Sequence, residues 1–379
     1  MSRPTTTPTT PPGRLTSLDA FRGLTIAGMI LVNNPGEWAH VYPPLRHAEW
    51  HGWTPTDLVF PSFLFIVGVA IPLSLGKRIE RGDNPSALFG KVVRRSILIF
   101  TLGLMLNWFP FEKPLATLRI PGVLQRIALC YLAASLIFLK SGPRARLVVT
   151  AALLVGYWAL LQLPTPVPGV GSGDLTLQNS LPSWVDRLLM PGHIYKRDYD
   201  PEGILSTLPA LASTLIGVLT GHWLLGKRPI GERVAGLFAA GALLMVAGTV
   251  WGAYFPINKA LWTSSFVLWS AGLSLQILGL CAWFIEVLGR KRWAWPFLVF
   301  GSNAITAYVL SGIVGRVLTM ITIHEPSGAT ITLRGWLYRH GFSLWLDPTL
   351  ASLLWAVSYV LFWLAVMAIF YRLKWFIRV

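Results

Sequence analysis

Residues 349–373 read TLASLLWAVSYVLFWLAVMAIFYRL, and this run carries a single charged side chain, Arg372. A helix of about 20 predominantly apolar residues is long enough to cross the hydrocarbon core of a bilayer. The stretch therefore predicts a transmembrane helix. Runs of the same kind recur along the chain, so the sequence predicts a polytopic membrane protein.

The composition also indicates that lipid is the solvent. Of the 379 residues, 54% are hydrophobic and 13% are charged, whereas soluble domains carry about 25% charged residues. The net charge of +16 would suit a nucleic-acid-binding protein, but the basic residues form short clusters between apolar runs, without a known nucleic-acid-binding motif. We therefore expect no nucleic-acid partner. Cys130 and Cys281 lie inside apolar runs and are expected to be packing residues.

The apolar runs predict an all-α fold of about ten transmembrane helices. Only helices and closed barrels satisfy the backbone in lipid, and these runs are too long and too uniformly apolar for barrel strands. Residues 1–13 are rich in Thr and Pro and are expected to be disordered, while residues 14–379 are expected to form one transmembrane domain. The predicted spans are 20–34, 56–75, 92–108, 122–139, 146–163, 203–225, 232–253, 262–286, 296–320 and 349–373.

The distribution of basic residues predicts the orientation. With the N-terminus in the cytoplasm, 21 of the 32 Lys and Arg residues fall on the cytoplasmic side and 9 outside, as the positive-inside rule requires. Both termini are then cytoplasmic, in a plasma membrane of the bacterial inner-membrane type. Three outer loops are long (35–55, 164–202 and 321–348), and long loops are often functional. The acidic outer face suits a cationic ligand such as an amine, although solvated loop charges explain it equally well.

Polar side chains at membrane depth are candidates for function. The first cluster pairs Asp19 with Arg22 at the cytoplasmic start of the first span. One interpretation is a helix cap beside an arginine that reaches the interface. The other is an anchor for an anionic group of a cofactor.

The second cluster follows the first span in the outer loop and contains Asn33, His47, His51 and Asp57. Histidine transfers protons near neutral pH, so a catalytic histidine is the favoured interpretation. A zinc site built on His47 and His51 is the first alternative, but the spacing is not that of H-E-x-x-H, and we expect no metal. A structural role for both histidines is the second alternative.

Further polar clusters lie at the outer ends of later spans and inside the ninth. Loops that converge at one depth would form a single buried polar site. Helix capping explains isolated Asp, Ser or Thr residues, but it does not readily explain an Arg, Gln or Asn at this depth. The residues singled out here are Gln125, Arg126, Glu202, Asn258, Lys259, Trp262 and Asn303.

Taken in order, six segments resemble the heparan-α-glucosaminide N-acetyltransferase family of transmembrane acyltransferases, and in particular its short bacterial members. The resemblance extends from about residue 14 through nearly the whole chain. The first segment is a weak signal alone, since other acyltransferases begin similarly, but the combination is specific. The segments are LDAFRG, HAEWHGWTPTDLVFPSFLFIVG, PGVLQR, DPEGILSTLP, PINKALWTSSFVL and GSNA.

The resemblance implies an activity. Members of this family take acetyl from acetyl-CoA on the cytoplasmic side and deliver it to the amine of a glucosamine on the other side. It places His47 at the active-site position, with Asn33 beside it. The chain departs from the lysosomal member in two ways: no extracytoplasmic domain with its own span precedes LDAFRG, and His51 replaces the Asn of a WNG triplet. We therefore expect ten spans and a free or cell-wall amino sugar as acceptor.

The expected mechanism uses His47 as general base or as the acyl acceptor of a ping-pong reaction. Asn33, Asn258 or Arg126 would donate to the oxyanion. Contacts with acetyl-CoA are expected from Arg22, Arg126, Gln125 and Asn303. Contacts with the amino sugar are expected from Asp57, Glu202, Asn258, Lys259 and Trp262.

The rival interpretation is an amino-sugar permease that binds its cargo at the same polar site. Such a transporter would be expected to show inverted repeats with interrupted spans, and none is visible in the sequence. A homodimer is compatible with either function.

The predicted topology can be tested with single cysteines. We expect Ser172→Cys, in the outer loop 164–202, to react with an impermeant thiol reagent added to intact cells. Ser141→Cys, in a predicted cytoplasmic loop, should react only after lysis. Labelling of Ser141→Cys in intact cells would show that the orientation is reversed.

Overall fold

The computed structural model describes residues 15–164, 166–325 and 330–377. The predicted disordered tail, residues 1–13, lies outside the described residues. The described chain is mostly helical and contains one two-stranded antiparallel sheet, in which Ile323 pairs with Ile331. The predicted all-α class is confirmed.

The structure places a helix over each of the ten predicted segments. Residues 55–80 form one continuous rod in which a π-helical turn, Pro72–Gly76, joins α2 to α3. The helices are α1 (Thr16–Asn33), α2 (Val59–Ile71), α3 (Lys77–Glu80), α4 (Pro85–Trp108), α5 (Val123–Lys140), α6 (Pro143–Gln162), α7 (Leu181–Leu189), α8 (Thr207–Leu224), α9 (Ile230–Gly252), α10 (Ser264–Ala282), α11 (Trp295–Ser302), α12 (Ala304–Met320), α13 (Leu333–Tyr338) and α14 (Pro348–Arg372), and the strands are β1 (Thr322–His324) and β2 (Thr330–Thr332).

Within the described residues, seven helices are long and apolar enough to cross a membrane, or eight if the bent pair α11–α12 is one span. The chain is a multi-pass membrane protein. Helices α1 and α4 cover two more predicted spans but are more polar, since α1 carries Asp19 and Arg22 and α4 carries three basic residues. The count of ten spans and the orientation stay predictions.

Helix starts follow the local sequence. Proline occupies the first turn of α4, α6 and α14, where its missing N–H is not needed. The Asn84 side chain accepts a hydrogen bond from the Ser86 amide at 2.9 Å, and that of Asp347 accepts one from the Thr349 amide at 2.9 Å. Such caps satisfy N–H groups that have no partner inside the helix.

The ninth predicted span, 296–320, is not one continuous helix. α11 and α12 meet at an angle of 72° at Asn303. The Asn303 side chain donates to the Trp375 carbonyl oxygen and accepts from the Ile377 amide, both at 2.9 Å. The segment predicted as the ninth span is therefore two helices, and these bonds tie the break between them to residues 375–377.

Glycines bring the central helices into contact. A Cβ atom on Gly68 of α2 would lie 1.9 Å from the Thr214 carbonyl oxygen of α8, and one on Gly217 would lie 2.1 Å from the Phe65 carbonyl oxygen. The backbones therefore touch directly, which is how membrane helices associate when lipid supplies no hydrophobic driving force. A similar contact between Gly23 and Gly301 joins α1 to α11.

We expect Gly68→Ala to destabilise the protein, because the added methyl group must separate α2 from α8. Overpacking of this kind costs about 1–3 kcal/mol, so the melting temperature in detergent should fall. Gly90→Ala is the matched control, since a Cβ atom on Gly90 in α4 would meet nothing within 4 Å. Equal melting temperatures for the two variants would contradict the packing argument.

Candidate active site

A cavity of about 440 Å³ lies at the end of the molecule where α1 finishes. Its walls come from the C-terminal turn of α1, the following loop, the start of the 55–80 rod, residues 119–123 and the segments 195–202 and 259–260. Each of these parts contributes at least one polar side chain. The chemically active lining residues are Asn33, His47, Glu49, Asp57, Arg119, Tyr199, Glu202 and Lys259.

His47 and Asp57 form a hydrogen-bonded dyad in this cavity. The His47 Nδ1 atom lies 2.6 Å from the Asp57 Oδ1 atom. The His47 side chain is 52% exposed, whereas that of Asp57 is 2% exposed. The imidazole thus faces the cavity while its carboxylate partner lies behind it, an arrangement that fixes the tautomer and orientation of a histidine base.

The local sequence explains why Asp57 is held so firmly. Thr54 and Asp57 form a capping box at the start of the 55–80 rod. The Asp57 Oδ2 atom accepts hydrogen bonds from the amides of Ala48 and Thr54, both at 3.0 Å, and from the Thr54 hydroxyl at 3.1 Å. These donors offset the cost of burying a carboxylate, so the start of a membrane helix also orients His47.

Lys259 reaches the dyad from the loop between α9 and α10. Its Nζ atom lies 3.1 Å from His47 Nδ1, 3.5 Å from His47 Nε2 and 3.5 Å from Asp57 Oδ1. Burial lowers the pKa of the Lys259 ammonium, and the Asp57 charge opposes that shift. One carboxylate, one imidazole and one amine therefore share a single contact cluster.

Two bonds brace the Lys259 loop. The Asn258 Nδ2 atom lies 3.3 Å from His51 Nδ1, and the Gly52 amide donates to the Ile257 carbonyl oxygen at 2.7 Å. Burial lowers the pKa of His51, which favours its neutral form as a partner for the amide. His51 thus supports the loop and does not line the cavity.

A second charged cluster forms the opposite wall. Arg119 donates to both Asp200 oxygens, at 2.9 and 2.7 Å, and to Glu202 Oε2 at 2.5 Å. These carboxylates raise the pKa of Arg119 further above its ordinary value, against the effect of burial. The bidentate geometry is among the strongest that ion pairs adopt, and it positions Glu202 at the cavity.

Aromatic rings complete the wall. Trp50 and Tyr199 meet edge to face with centroids 5.5 Å apart, and Arg119 lies 4.7 Å from the centroid of the Tyr195 ring. The Lys196 ammonium lies 5.7 Å from the Tyr199 ring centroid. Aromatic faces beside carboxylates and donors give the cavity both apolar and hydrogen-bonding surface.

The structure brings five of the predicted site residues to one cavity: Asn33, His47, Asp57, Glu202 and Lys259. Asn258 and Trp262 lie on the same loop as Lys259 but are fully buried and do not line the cavity. The Trp262 indole donates to the Ser213 hydroxyl at 3.1 Å. Their predicted contact with an acceptor stays a prediction, and the structure gives both a role in holding the loop.

Gln125 and Arg126 lie in the wall of the bundle and do not line the cavity. Arg126 is 1% exposed and donates to the Gly203 carbonyl oxygen at 3.0 Å and to the Ser206 hydroxyl at 2.5 Å. Its guanidinium also lies 5.1 Å from the Trp262 ring centroid. It therefore anchors the segment that carries Glu202.

The last two predicted residues lie toward the other end of α1. Arg22 donates to Asp19 at 2.9 Å. Asn303 follows Gly301, which packs against Asp19 and Gly23. Both residues are thus remote from His47, and their predicted contact with acetyl-CoA stays a prediction.

Comparison with known proteins identifies the family. The sequence model of the family described as heparan-alpha-glucosaminide N-acetyltransferase, catalytic, matches residues 14–249. The human protein of that name is 31% identical over 352 residues, covering 79% of this chain and 52% of the relative. The mouse protein is 30% identical over 350 residues, covering 78% and 53%.

This chain belongs to the heparan-α-glucosaminide N-acetyltransferase family. The resemblance inferred from the sequence segments is confirmed. The chain spans about half the length of these curated relatives.

The family assignment does not by itself identify the cavity wall. Sequence reasoning did not assign Arg119, Tyr195, Lys196 or Tyr199 to the site. The length of the loop 164–202 was the signal for the two tyrosines and Lys196. No group of three or more metal-ligating residues occurs within the ranges that the structure describes, and there the two histidines of the zinc hypothesis have separate partners.

Asp186 of α7 supports the same wall from behind. Its Oδ1 atom accepts a hydrogen bond from the Ile204 amide at 2.8 Å, and a Cβ atom on Gly203 would lie 1.8 Å from Oδ2. Burial raises the pKa of the Asp186 carboxyl to about 7, with the Asp200 charge adding to the shift and Arg126 and Arg187 opposing it. Ionisation of this carboxyl therefore destabilises the folded protein.

This predicts a pH-dependent effect of Asp186→Asn. In the unfolded chain the carboxyl ionises near pH 4. The stability that the neutral Asp186 carboxyl contributes is therefore complete below about pH 4 and is lost as the pH rises to about 7. Near pH 4 the variant should melt at the wild-type temperature. At pH 8 it should melt at a higher temperature, and its free energy of unfolding should exceed that of the wild type by at most about 4 kcal/mol.

The control for this effect is Asp174→Asn. Asp174 lies half-buried in the loop 164–202, and its hydrogen bonds with Thr176 lower its pKa. That variant should gain no stability at pH 8. A gain for Asp186→Asn that is equal at pH 4 and pH 8 would contradict the pKa argument.

Proposed function

We propose that this protein is a membrane-embedded N-acetyltransferase that transfers acetyl from acetyl-CoA to the amine of a glucosamine-type sugar. The observation that carries the proposal is the His47–Asp57 dyad, which opens into a 440 Å³ cavity. Family membership supports it, since the matched relatives are named for this reaction. We place the protein in a plasma membrane of the bacterial inner-membrane type, with the cavity on the extracytoplasmic side.

The dyad can supply a base. With its Nδ1–H group donating to Asp57, His47 presents the lone pair of Nε2 to the cavity. An amine is mostly protonated at neutral pH, and it must lose a proton to attack a thioester. Imidazole is well matched to that proton transfer, which typically contributes about 10²–10⁴-fold to the rate.

The reaction then has two possible orders. In a direct transfer, the amine nitrogen attacks the thioester carbon, the C–S bond breaks and the CoA thiol leaves with a proton. In a ping-pong reaction, His47 Nε2 attacks the thioester carbon first, the C–S bond breaks and CoA leaves as the thiolate. The amine then attacks the acetyl carbon, the bond to Nε2 breaks and the amine proton is released. Both orders use the same free nitrogen of His47.

The cavity chemistry suits an amino sugar. Glu49 and Glu202 give it negative charge for an arriving ammonium, and Trp50 and Tyr199 provide flat apolar surface for a sugar ring. Lys196 and Arg119 supply donors for hydroxyl groups. We therefore assign the acceptor to this cavity.

We assign the nucleotide of acetyl-CoA to the Arg22 end of α1, on the cytoplasmic side. Arginine binds phosphate bidentately, and the Arg22 side chain is 25% exposed there. Gln125 and Arg126 lie between the two ends, and Asn303 lies near the first. The acetyl group would have to pass along α1 to reach His47.

The proposal is tested with purified protein, labelled acetyl-CoA and glucosamine. We expect the wild type to form N-acetylglucosamine and His47→Ala to lose this activity by at least about 100-fold, because the proton acceptor is gone. The variant should still bind acetyl-CoA and melt near the wild-type temperature.

His40→Ala is the matched control. His40 lies in the same outer loop and pairs with Glu37 at 3.1 Å, remote from the dyad. This variant should retain activity. A folded His47→Ala protein that acetylates glucosamine at the wild-type rate would exclude the mechanism, and glucosamine transport without acetylation would favour the permease.

A further inference from the structure

The position of Lys259 relative to the His47 ring is unusual. Its Nζ atom is 3.1 Å from one ring nitrogen and 3.5 Å from the other. An amine nitrogen in the ring plane at both of these distances would overlap Cε1, the ring carbon that is bonded to both nitrogens. The amine therefore lies over the face of the imidazole.

This position leaves the base free. The lone pair of Nε2 lies in the ring plane, so Lys259 does not block it. The plane also contains the Nδ1–H bond to Asp57. A substrate nitrogen can thus approach Nε2 in the plane while a cationic donor stays next to it, out of the plane.

A hydrogen-bond donor over the His47 ring would contact the reacting carbonyl group. When the acceptor nitrogen is hydrogen-bonded to Nε2, the carbon it attacks and that carbon's oxygen lie within a few ångströms of the same nitrogen. Lys259 Nζ is already 3.5 Å from Nε2. Catalysis by acyl transfer requires donors at the position that the oxyanion will occupy.

We propose that Lys259 is a catalytic residue that donates a hydrogen bond from its ammonium to the oxyanion of the tetrahedral intermediate. The inference rests on the proposed function. The developing negative charge is stabilised by a fixed positive charge in a cavity that is partly shielded from water. After the C–S bond breaks, the carbonyl group re-forms and the ammonium keeps its proton.

The other candidate donors fit less well. Asn258 uses its oxygen to accept from the Leu261 amide at 2.8 Å and its nitrogen to contact His51. Arg126 does not line the cavity. Asn33 does line it, and it is the side chain left to act as a second donor beside Lys259.

The residues around Lys259 hold its side chain in this position. Asn258 is fully buried and holds the loop on one side through Leu261 and on the other through His51. Asp57 lies 3.5 Å from Nζ and balances its charge. The ammonium is thus held over the ring by its neighbours before any substrate binds.

The test compares kcat and KM of Lys259→Met, Lys259→Arg and wild type in the purified-protein assay. Lys259→Met keeps the side chain up to its last carbon and removes the ammonium, so kcat should fall roughly 100- to 1,000-fold. The KM for glucosamine should change less than about threefold. Lys259→Arg keeps the charge and should recover at least about tenfold of the loss.

Lys113→Met is the matched control, since Lys113 is exposed and does not line the cavity. It should leave both kcat and the KM for glucosamine within about threefold of wild type. Rates are referred to folded protein that binds acetyl-CoA, so a loss of folding is not counted as a loss of catalysis.

The inference is overturned if Lys259→Met keeps its kcat, if its loss lies in KM alone, or if Lys113→Met loses kcat equally. It is also overturned if Lys259→Arg is no better than Lys259→Met. A wild-type protein that does not acetylate glucosamine would instead overturn the proposed function, and this role with it.

Discussion

The buried carboxylate of Asp57 is the group on which the site depends. It lies at the start of the 55–80 rod and is 1% exposed, so it would be costly without partners. Its partners are two amides, the Thr54 hydroxyl, the His47 ring and the Lys259 ammonium. Because these bonds begin a membrane helix and also orient the His47 ring, the geometry of the dyad has the rigidity of the helix.

Charge pairing extends from this point around the cavity. Arg119 holds Asp200 and Glu202 on the opposite wall, and the same segment is fixed from behind by Arg126 through Gly203. Within the described part of the chain, the Nε and Nη1 atoms of Arg126 have no hydrogen-bond partner. An unpaired donor at this depth is costly, and the contact of Arg126 with the Trp262 ring offsets part of that cost.

Sequence patterns predicted some of these features and not others, for physical reasons. Apolar runs determine where helices lie in a membrane, so a helix covers every predicted span. The position of a residue in a loop beside a span does not determine which way its side chain faces. Lys259 therefore lines the cavity, while Asn258 and Trp262 beside it do not. The break at Asn303 was not predictable, because it depends on bonds with residues more than seventy positions later.

The contact of His47 with Asp57 was not predicted either, although both residues were assigned to one loop cluster. Their ten-residue separation has no fixed geometry until the capping box of Thr54 positions the carboxylate. The same holds for Arg119, whose partners lie 81 and 83 residues further along the chain. Long-range ion pairs of this kind depend on tertiary packing, which residue spacing does not encode.

A partition of packed side chains separates the two ends of α1, and its chemistry differs from that of the cavity walls. A small void of about 10 Å³ lies next to the cavity and shares Met29 and Val123 with it. Its other walls are apolar except for Tyr308, and they come from α1, α2, α5 and α12. Separating apolar side chains breaks no ion pair, whereas opening the Arg119 or Asp57 walls would. If acetyl is delivered from the Arg22 end, the partition at Met29 and Val123 is thus where the bundle can open while the His47–Asp57 dyad stays in place.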